Sequence, residues 1–214
     1  MIDLLKVSGE IEKIDRLKTP QLCFQFILKV FCPLRLKTFQ DQLLVFFSER
    51  ALPVAKEVGM KLSLHPSDPP YPMYEGYASL IHNSDCYRKA LKLADAIEPG
   101  VLGIKFCCGC WLEGGKNFGD ILSDLREFVR AKRVLTVHFR NVSCPLPHFT
   151  EVLAEDGYFD MMSIMRVLVQ EGYDQAIYPD HIFETAPGTG GDLAQFAYAI
   201  GYMKGLMHAA YSQR

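Results

Sequence analysis

The sequence predicts an α/β protein whose strands form a parallel sheet. Two observations predict it. Between residues 40 and 209, stretches with apolar residues at helical spacing alternate with short apolar or alternating runs, giving a helix and then strand and helix four times over. Each strand also ends on a metal-ligand type of side chain, His65, Cys107, His138 and Asp180, and ligands of parallel sheets bind outside the carboxyl ends of the strands.

The first helix is read from "QDQLLVFFSERALPVAKEVG", which stops at Gly59, a good helix terminus. "MKLSLHP" alternates as a strand and runs into a Pro-rich loop, "PSDPPYPMYEG". "NSDCYRKALKLADAIEPG" carries a Ser/Asp cap signal and forms the second helix, followed by the strand "VLGIKFC" and a loop, "CGCWLEGG". "FGDILSDLREFVRAKR" is the third helix and "VLTVHFRNV" the third strand. After a loop at "FTEVLAEDGYFD", "MMSIMRVLVQEGY" supplies the fourth helix and "QAIYPDH" the fourth strand. The last helix is "LAQFAYAIGYMKGLMHA".

Composition narrows the function classes. A chain of 214 residues fits one domain with a full core. With a net charge of −2 and no basic run, it has no electrostatic footprint for nucleic acid or an anionic membrane. The apolar stretch "LCFQFILKVFCPLRL" is interrupted by Gln25, Lys29 and Pro33 and falls short of the roughly 20 apolar residues of a membrane span. Seven Cys, an odd number, behind an N-terminus without an uninterrupted apolar core, suit free thiols in a reducing cytoplasm.

Two imidazoles, a thiolate and a carboxylate at successive strand ends can converge on one divalent transition ion. A single strand-end His is more often a hydrogen-bonded structural group; it is the joint pattern that points to a metal. "CCGC" also allows a rival reading as half of a thiolate zinc site or a redox pair, but no second CxxC half exists, and Cys107 is the member that ends the strand. Asp180 and His181 cannot face the same way from an extended strand, so a bend must let one bind the ion while the other overlooks the substrate. His181 is the candidate general acid or base, its bland alternative a hydrogen-bond donor behind the ligands. Arg140, in "VHFRN", suits a bidentate grip on a substrate carboxylate, the alternative being an ordinary surface ion pair. Glu151, Glu155, Asp156 and Asp160 could orient metal ligands by hydrogen bonds from behind but read more readily as a solvated acidic loop, and "GTGGD" lacks the remainder of a phosphate-binding loop.

Several stretches, "LPVAKEVGMKLSLHPSDPP", "GIKFCCGCWLEGG", "VHFRNV", "EDGYFDMMSIMRVLVQEGYD", "YPDH" and "AIGYMKGL", resemble the mannonate dehydratase family. The resemblance implies a (β/α)₈ TIM barrel of which about four C-terminal βα units lie in residues 40–214, after a divergent segment at 1–39. It implies a hydro-lyase that converts D-mannonate to 2-keto-3-deoxy-D-gluconate in hexuronate (glucuronate) catabolism with Mn²⁺ or Fe²⁺. The family's metal ligands fall on His65, Cys107, His138 and Asp180, and its catalytic His on His181. A half-barrel leaves parallel edges open, for which self-association into a paired half-barrel, a loosely folded fragment and a truncated gene model are the three explanations, a homo-oligomer being the expectation. The family's catalytic Tyr, in a Pro-Gly-Tyr turn, has no counterpart in "APGTGGDLAQ". A metal-dependent sugar isomerase or epimerase on the same barrel, and a family member that keeps the metal site without turnover, are the competing readings.

Overall fold

The structure, a computed structural model, describes residues 50–181 and 191–213. Its elements in chain order are α1 (Leu52–Glu57), β1 (Leu62–Leu64), β2 (Met73–Tyr74), β3 (Tyr77–Ala78), α2 (Ser84–Asp95), β4 (Leu102–Cys107), α3 (Cys108–Gly114), α4 (Ile121–Arg130), β5 (Val134–Phe139), β6 (Asn141–Val142), β7 (Glu151–Val152), α5 (Met161–Gln170), β8 (Ala176–Pro179) and α6 (Gly191–Ser212). A single 3₁₀ turn, Gly115–Asn117, follows α3.

Four strands pair in the order β1-β4-β5-β8, every pair parallel. The central strands β4 and β5 are buried at every residue, as expected of parallel strands covered on both faces. This is half of a TIM-barrel arrangement, four successive βα units with all carboxyl ends on one rim. The segment 40–59 contributes only Leu52–Glu57 as regular α-helix among the described residues, and its earlier part lies outside them. The stretch 1–39 and most of the turn at "APGTGG" also lie outside the described residues.

The helices start where polar caps allow. The carbonyl of the Asn83 side chain accepts from Cys86 N, so the second helix is capped one residue before the expected Ser/Asp pair. Asp120 caps α4 through Ser123 N, and Asp160 caps α5 through Met162 N.

Two loop expectations are corrected. Residues 108–114 form the helix α3, because Trp111 is driven into the core, with its ring 4.0 Å from Phe106, 4.3 Å from Phe118 and 5.5 Å from Tyr87. Its indole Nε1 donates to Asp124 Oδ2 at 3.0 Å, which satisfies the one polar atom that this burial brings in. The strand read as 134–142 breaks at Arg140, and Asn141–Val142 turns away to pair antiparallel with Glu151–Val152. The acidic loop is therefore tied back to the strand end, with Glu151 opposite Val142. A second small antiparallel pair, β2 with β3, closes the Pro-rich loop.

Candidate metal centre

Successive βα units carry His65 just past β1, Cys107 at the last residue of β4, His138 near the end of β5 and Asp180 just past β8. Parallel pairing sets Cys107 directly against His138. The four ligand atoms, one from each residue, all lie within 4.8 Å of one another. All four residues read from the sequence as ligands are thus brought together. His138 Nδ1 is 3.0 Å from Asp180 Oδ2, Cys107 Sγ is 3.7 Å from the same oxygen, and the rings of His65 and His138 are 5.2 Å apart.

The donor set fits a divalent cation on three observations. His138 Nδ1 is buried and has no aligned hydrogen bond, despite the nearby carboxylate, so its nitrogen is left for another partner. His65 Nδ1 is 2.7 Å from Pro66 O; as donor to that carbonyl it leaves Nε2 as the lone-pair nitrogen, the usual way a ligand imidazole is fixed. Burial works against a Cys107 thiolate, but Cys110, Arg140, His138 and His65 outweigh it and hold the thiol well below its ordinary value. Two negative charges, on Cys107 and Asp180, balance a divalent ion, and the mix of nitrogen, sulfur and oxygen is that of a first-row transition-metal site.

Arg140 organises the carboxylate side of the site. It is 4% exposed, so it is no surface ion pair. Its Nε donates to Asp180 Oδ2 (3.1 Å), its Nη1 to Glu113 Oε1 (2.6 Å) and Glu151 Oε1 (3.2 Å), and its Nη2 to Asp68 Oδ2 (2.7 Å) and Cys110 Sγ (3.7 Å). A guanidinium has five N–H bonds, and here each has a protein acceptor. The room for it comes from Gly109, where a Cβ would lie 2.2 Å from the Arg140 Cζ. Asp68, Cys110 and Glu113 also cluster as a group of ligand types, but the cation among them is Arg140 itself.

His181 has a φ of 51°, the left-handed bend that lets neighbouring Asp180 and His181 both address the site. Its Nδ1 is hydrogen-bonded to Glu151 Oε1, and its Nε2 is 3.7 Å from Asp68 Oδ2 and 3.8 Å from Asp180 Oδ2. The Glu151 bond raises the His181 pKa above its ordinary value against the opposing effect of burial. Sequence reasoning missed Asp68 and Glu113, and it set Glu151 aside as part of a solvated loop. Asp68, inside "HPSDPP", was the most findable, since it lies three residues after His65, a candidate ligand.

These features define a class, half of a TIM-barrel protein with a candidate divalent-metal centre on the rim formed by its strand ends. The family model for D-mannonate dehydratase (UxuA) matches residues 9–214, and the chain belongs to that family. The match begins ahead of residue 40 and so takes in much of the segment that the sequence motifs left without a counterpart.

The chain is 32% identical over 175 residues to a mannonate dehydratase of Enterococcus faecalis, covering 79% of this chain and 47% of that protein. It is 31% identical over 140 residues to one of Streptococcus pneumoniae, covering 64% and 37%. It spans about half or less of the length of these curated relatives. The crystal structure of mannonate dehydratase from Streptococcus suis superposes with a TM-score of 0.70 at 26% identity, over 83% of this chain and 50% of that one. A xylose isomerase domain protein from Alicyclobacillus acidocaldarius matches with a TM-score of 0.66 over 84% and 62%, but its 14% identity speaks to the fold alone. Among the described residues no helix is long and apolar enough to cross a membrane.

Proposed function

We propose that the chain takes part in the dehydration of D-mannonate to 2-keto-3-deoxy-D-gluconate, as a cytoplasmic hydro-lyase of hexuronate (glucuronate) breakdown. The observation that carries this reading is the meeting of His65, Cys107, His138 and Asp180 within 4.8 Å, with His181 beside Asp180, in a member of this family. His65, Cys107, His138 and Asp180 would hold Mn²⁺ or Fe²⁺. When bound, the cation supplies Lewis-acid polarisation of the sugar acid's carboxylate and hydroxyl oxygens.

The chain's own groups would supply the proton for the leaving hydroxyl and the order of the site. His181, whose protonated form Glu151 favours, presents Nε2 toward the site and would deliver a proton to the departing hydroxyl, a contribution of roughly 10²- to 10⁴-fold. Arg140 would act by orienting: it holds Asp180, Glu113, Glu151 and Asp68 in one arrangement. A direct grip on the substrate carboxylate would require the acid to displace one of these protein acceptors. Among the described residues β1 and β8 each pair on one side only, and a homo-oligomer would let a second copy supply neighbouring strands.

Incubating the purified chain with D-mannonate and Mn²⁺, alongside light scattering for its oligomeric state, tests the reading. Formation of the 2-keto-3-deoxy acid above the metal-only blank supports it. An epimeric or isomeric sugar acid in its place would favour the isomerase alternative, and no product from a folded, metal-loaded chain would reject turnover by this chain.

A further inference from the structure

The metal reading uses Cys107 and gives Cys110 no part in the chemistry beyond accepting from Arg140. Cys107 ends β4 and is the N-cap of α3, and Cys110 lies in the first turn of that helix. A side chain at the N-cap lies against the third helical residue, which here is Cys110. Cys107 belongs to the ligand quartet, whereas Cys110 belongs to the neighbouring Asp68–Glu113 group. One sulfur atom thus faces two partners that it cannot serve together.

We propose that Cys107 and Cys110 form a redox-active dithiol whose disulfide and whose metal-bound form exclude each other. The spacing Cys-x-x-Cys at a strand-to-helix junction is that of dithiol redox motifs, and the two residues are the N-cap and the third residue of one helical turn. The fixed charge of Arg140, 3.7 Å from Cys110 Sγ, stabilises negative charge developing on sulfur. Both cysteines are fully buried, so the oxidant must be small and neutral, such as hydrogen peroxide.

The chemistry balances with one peroxide. The Cys107 sulfur attacks a peroxide oxygen, the O–O bond breaks, and with a proton one water leaves, giving a sulfenic acid on Cys107. The Cys110 sulfur then attacks that sulfur, the S–S bond forms, and the sulfenic oxygen departs with two protons as the second water. Two thiols are oxidised by two electrons and the peroxide is reduced. The resulting disulfide has no thiolate to offer a metal.

The gate rests on the reading of Cys107 as a metal ligand, so the test separates the two. Tryptic cleavage after Lys105 and Lys116 yields one peptide, "FCCGCWLEGGK", carrying Cys107, Cys108 and Cys110. After peroxide treatment of the metal-free chain, this peptide should accept alkylation at Cys108 alone and be lighter by two hydrogens before alkylation. Zn²⁺, which has no redox chemistry of its own, should keep all three cysteines alkylatable when loaded first. The oxidised chain should lose Zn²⁺ binding and regain it on reduction. Cys110→Ser should bind Zn²⁺ and fail to form the disulfide, while Cys108→Ser should form it. Full alkylation of Cys107 after peroxide, or pairing of Cys107 with Cys108, overturns the dithiol. A reduced chain that takes up no Zn²⁺ overturns the metal reading, and the gate with it, whatever the mass shift.

Discussion

Arg140 Nε donates to Asp180 Oδ2 at 3.1 Å, while the rest of the same guanidinium is held by Glu113, Glu151, Asp68 and Cys110. The position of a candidate metal ligand is therefore set by a buried cation that itself has no free donor. Arg140→Met would leave several carboxylates around an uncompensated pocket. Removing one partner of a buried charge cluster costs about 3–5 kcal/mol, and a loss of that order is expected in urea unfolding. Gly109→Ala should act on the same group from below, because its Cβ would occupy the guanidinium's place. Weakened metal uptake in Gly109→Ala is expected, and unchanged metal affinity in calorimetry would show that Asp180 does not depend on Arg140.

One guanidinium cannot neutralise four carboxylates, and the most buried of them carries the imbalance. Glu113 is fully buried, and burial pushes its carboxyl up to about 8 against the pull of Arg140. Its Oε2 has no hydrogen-bond partner, which a charged oxygen would tolerate poorly. In the unfolded chain the proton leaves near the ordinary value of 4.5, whereas the folded chain keeps it until about pH 8. Between these values the native state binds more protons, so stability falls as pH rises. Thermal unfolding from pH 5 to 8 should show this decline, and Glu113→Gln should flatten it. An equal decline in the variant would assign the slope to other groups.

Asp160 makes the opposite sign of contribution at the start of α5. It accepts from Met162 N and Ser163 Oγ, and the Ser163 bond leads in holding its carboxyl below the usual value of 3.8. Asp160→Ala should cost about 1 kcal/mol at neutral pH, the usual worth of an N-cap. The charged part of that stabilisation is present above pH 3.8 and lost as pH falls through the lower folded-state value. The stability gap between wild type and Asp160→Asn should therefore shrink below that pH. A gap independent of pH in paired denaturation curves would contradict it.

The parallel order and the meeting of the four candidate ligands were legible because each rests on local signals: apolar periodicity for the elements, and residue type at the strand ends for the site. Asp68 and Glu113 were not, and Glu151 was set aside, because carboxylates in stretches read as loops look solvated until the fold brings them to Arg140. Glu113 lies 27 residues before Arg140, and Asp68 72 residues before it. Helix α3 was also hidden, since seven residues containing Gly109 and Gly114 have weak helical propensity. What holds them is the packing of Trp111 against Phe106 and Phe118, a tertiary contact. The bend at His181 was expected from the Asp-His pair, but its acidic partner became visible only through the β6–β7 pairing that returns Glu151 to the site.

Metal retention and proton transfer should separate by mutation, because the ligands and His181 make different contacts. His65→Ala and Cys107→Ala each remove a donor from the quartet and should abolish metal retention after gel filtration. His181→Ala removes no donor from it and should retain the metal while abolishing formation of the keto-deoxy acid. Glu151→Gln refines the assignment. Glu151 is the leading cause of the raised His181 pKa, so the variant should lower it. If protonated His181 is the acid, activity disappears as pH rises through that pKa, and the alkaline limb of the rate profile should move to lower pH in Glu151→Gln with metal content unchanged. Metal loss in His181→Ala would transfer His181 to the ligand set, and an unmoved alkaline limb would give the proton to another group.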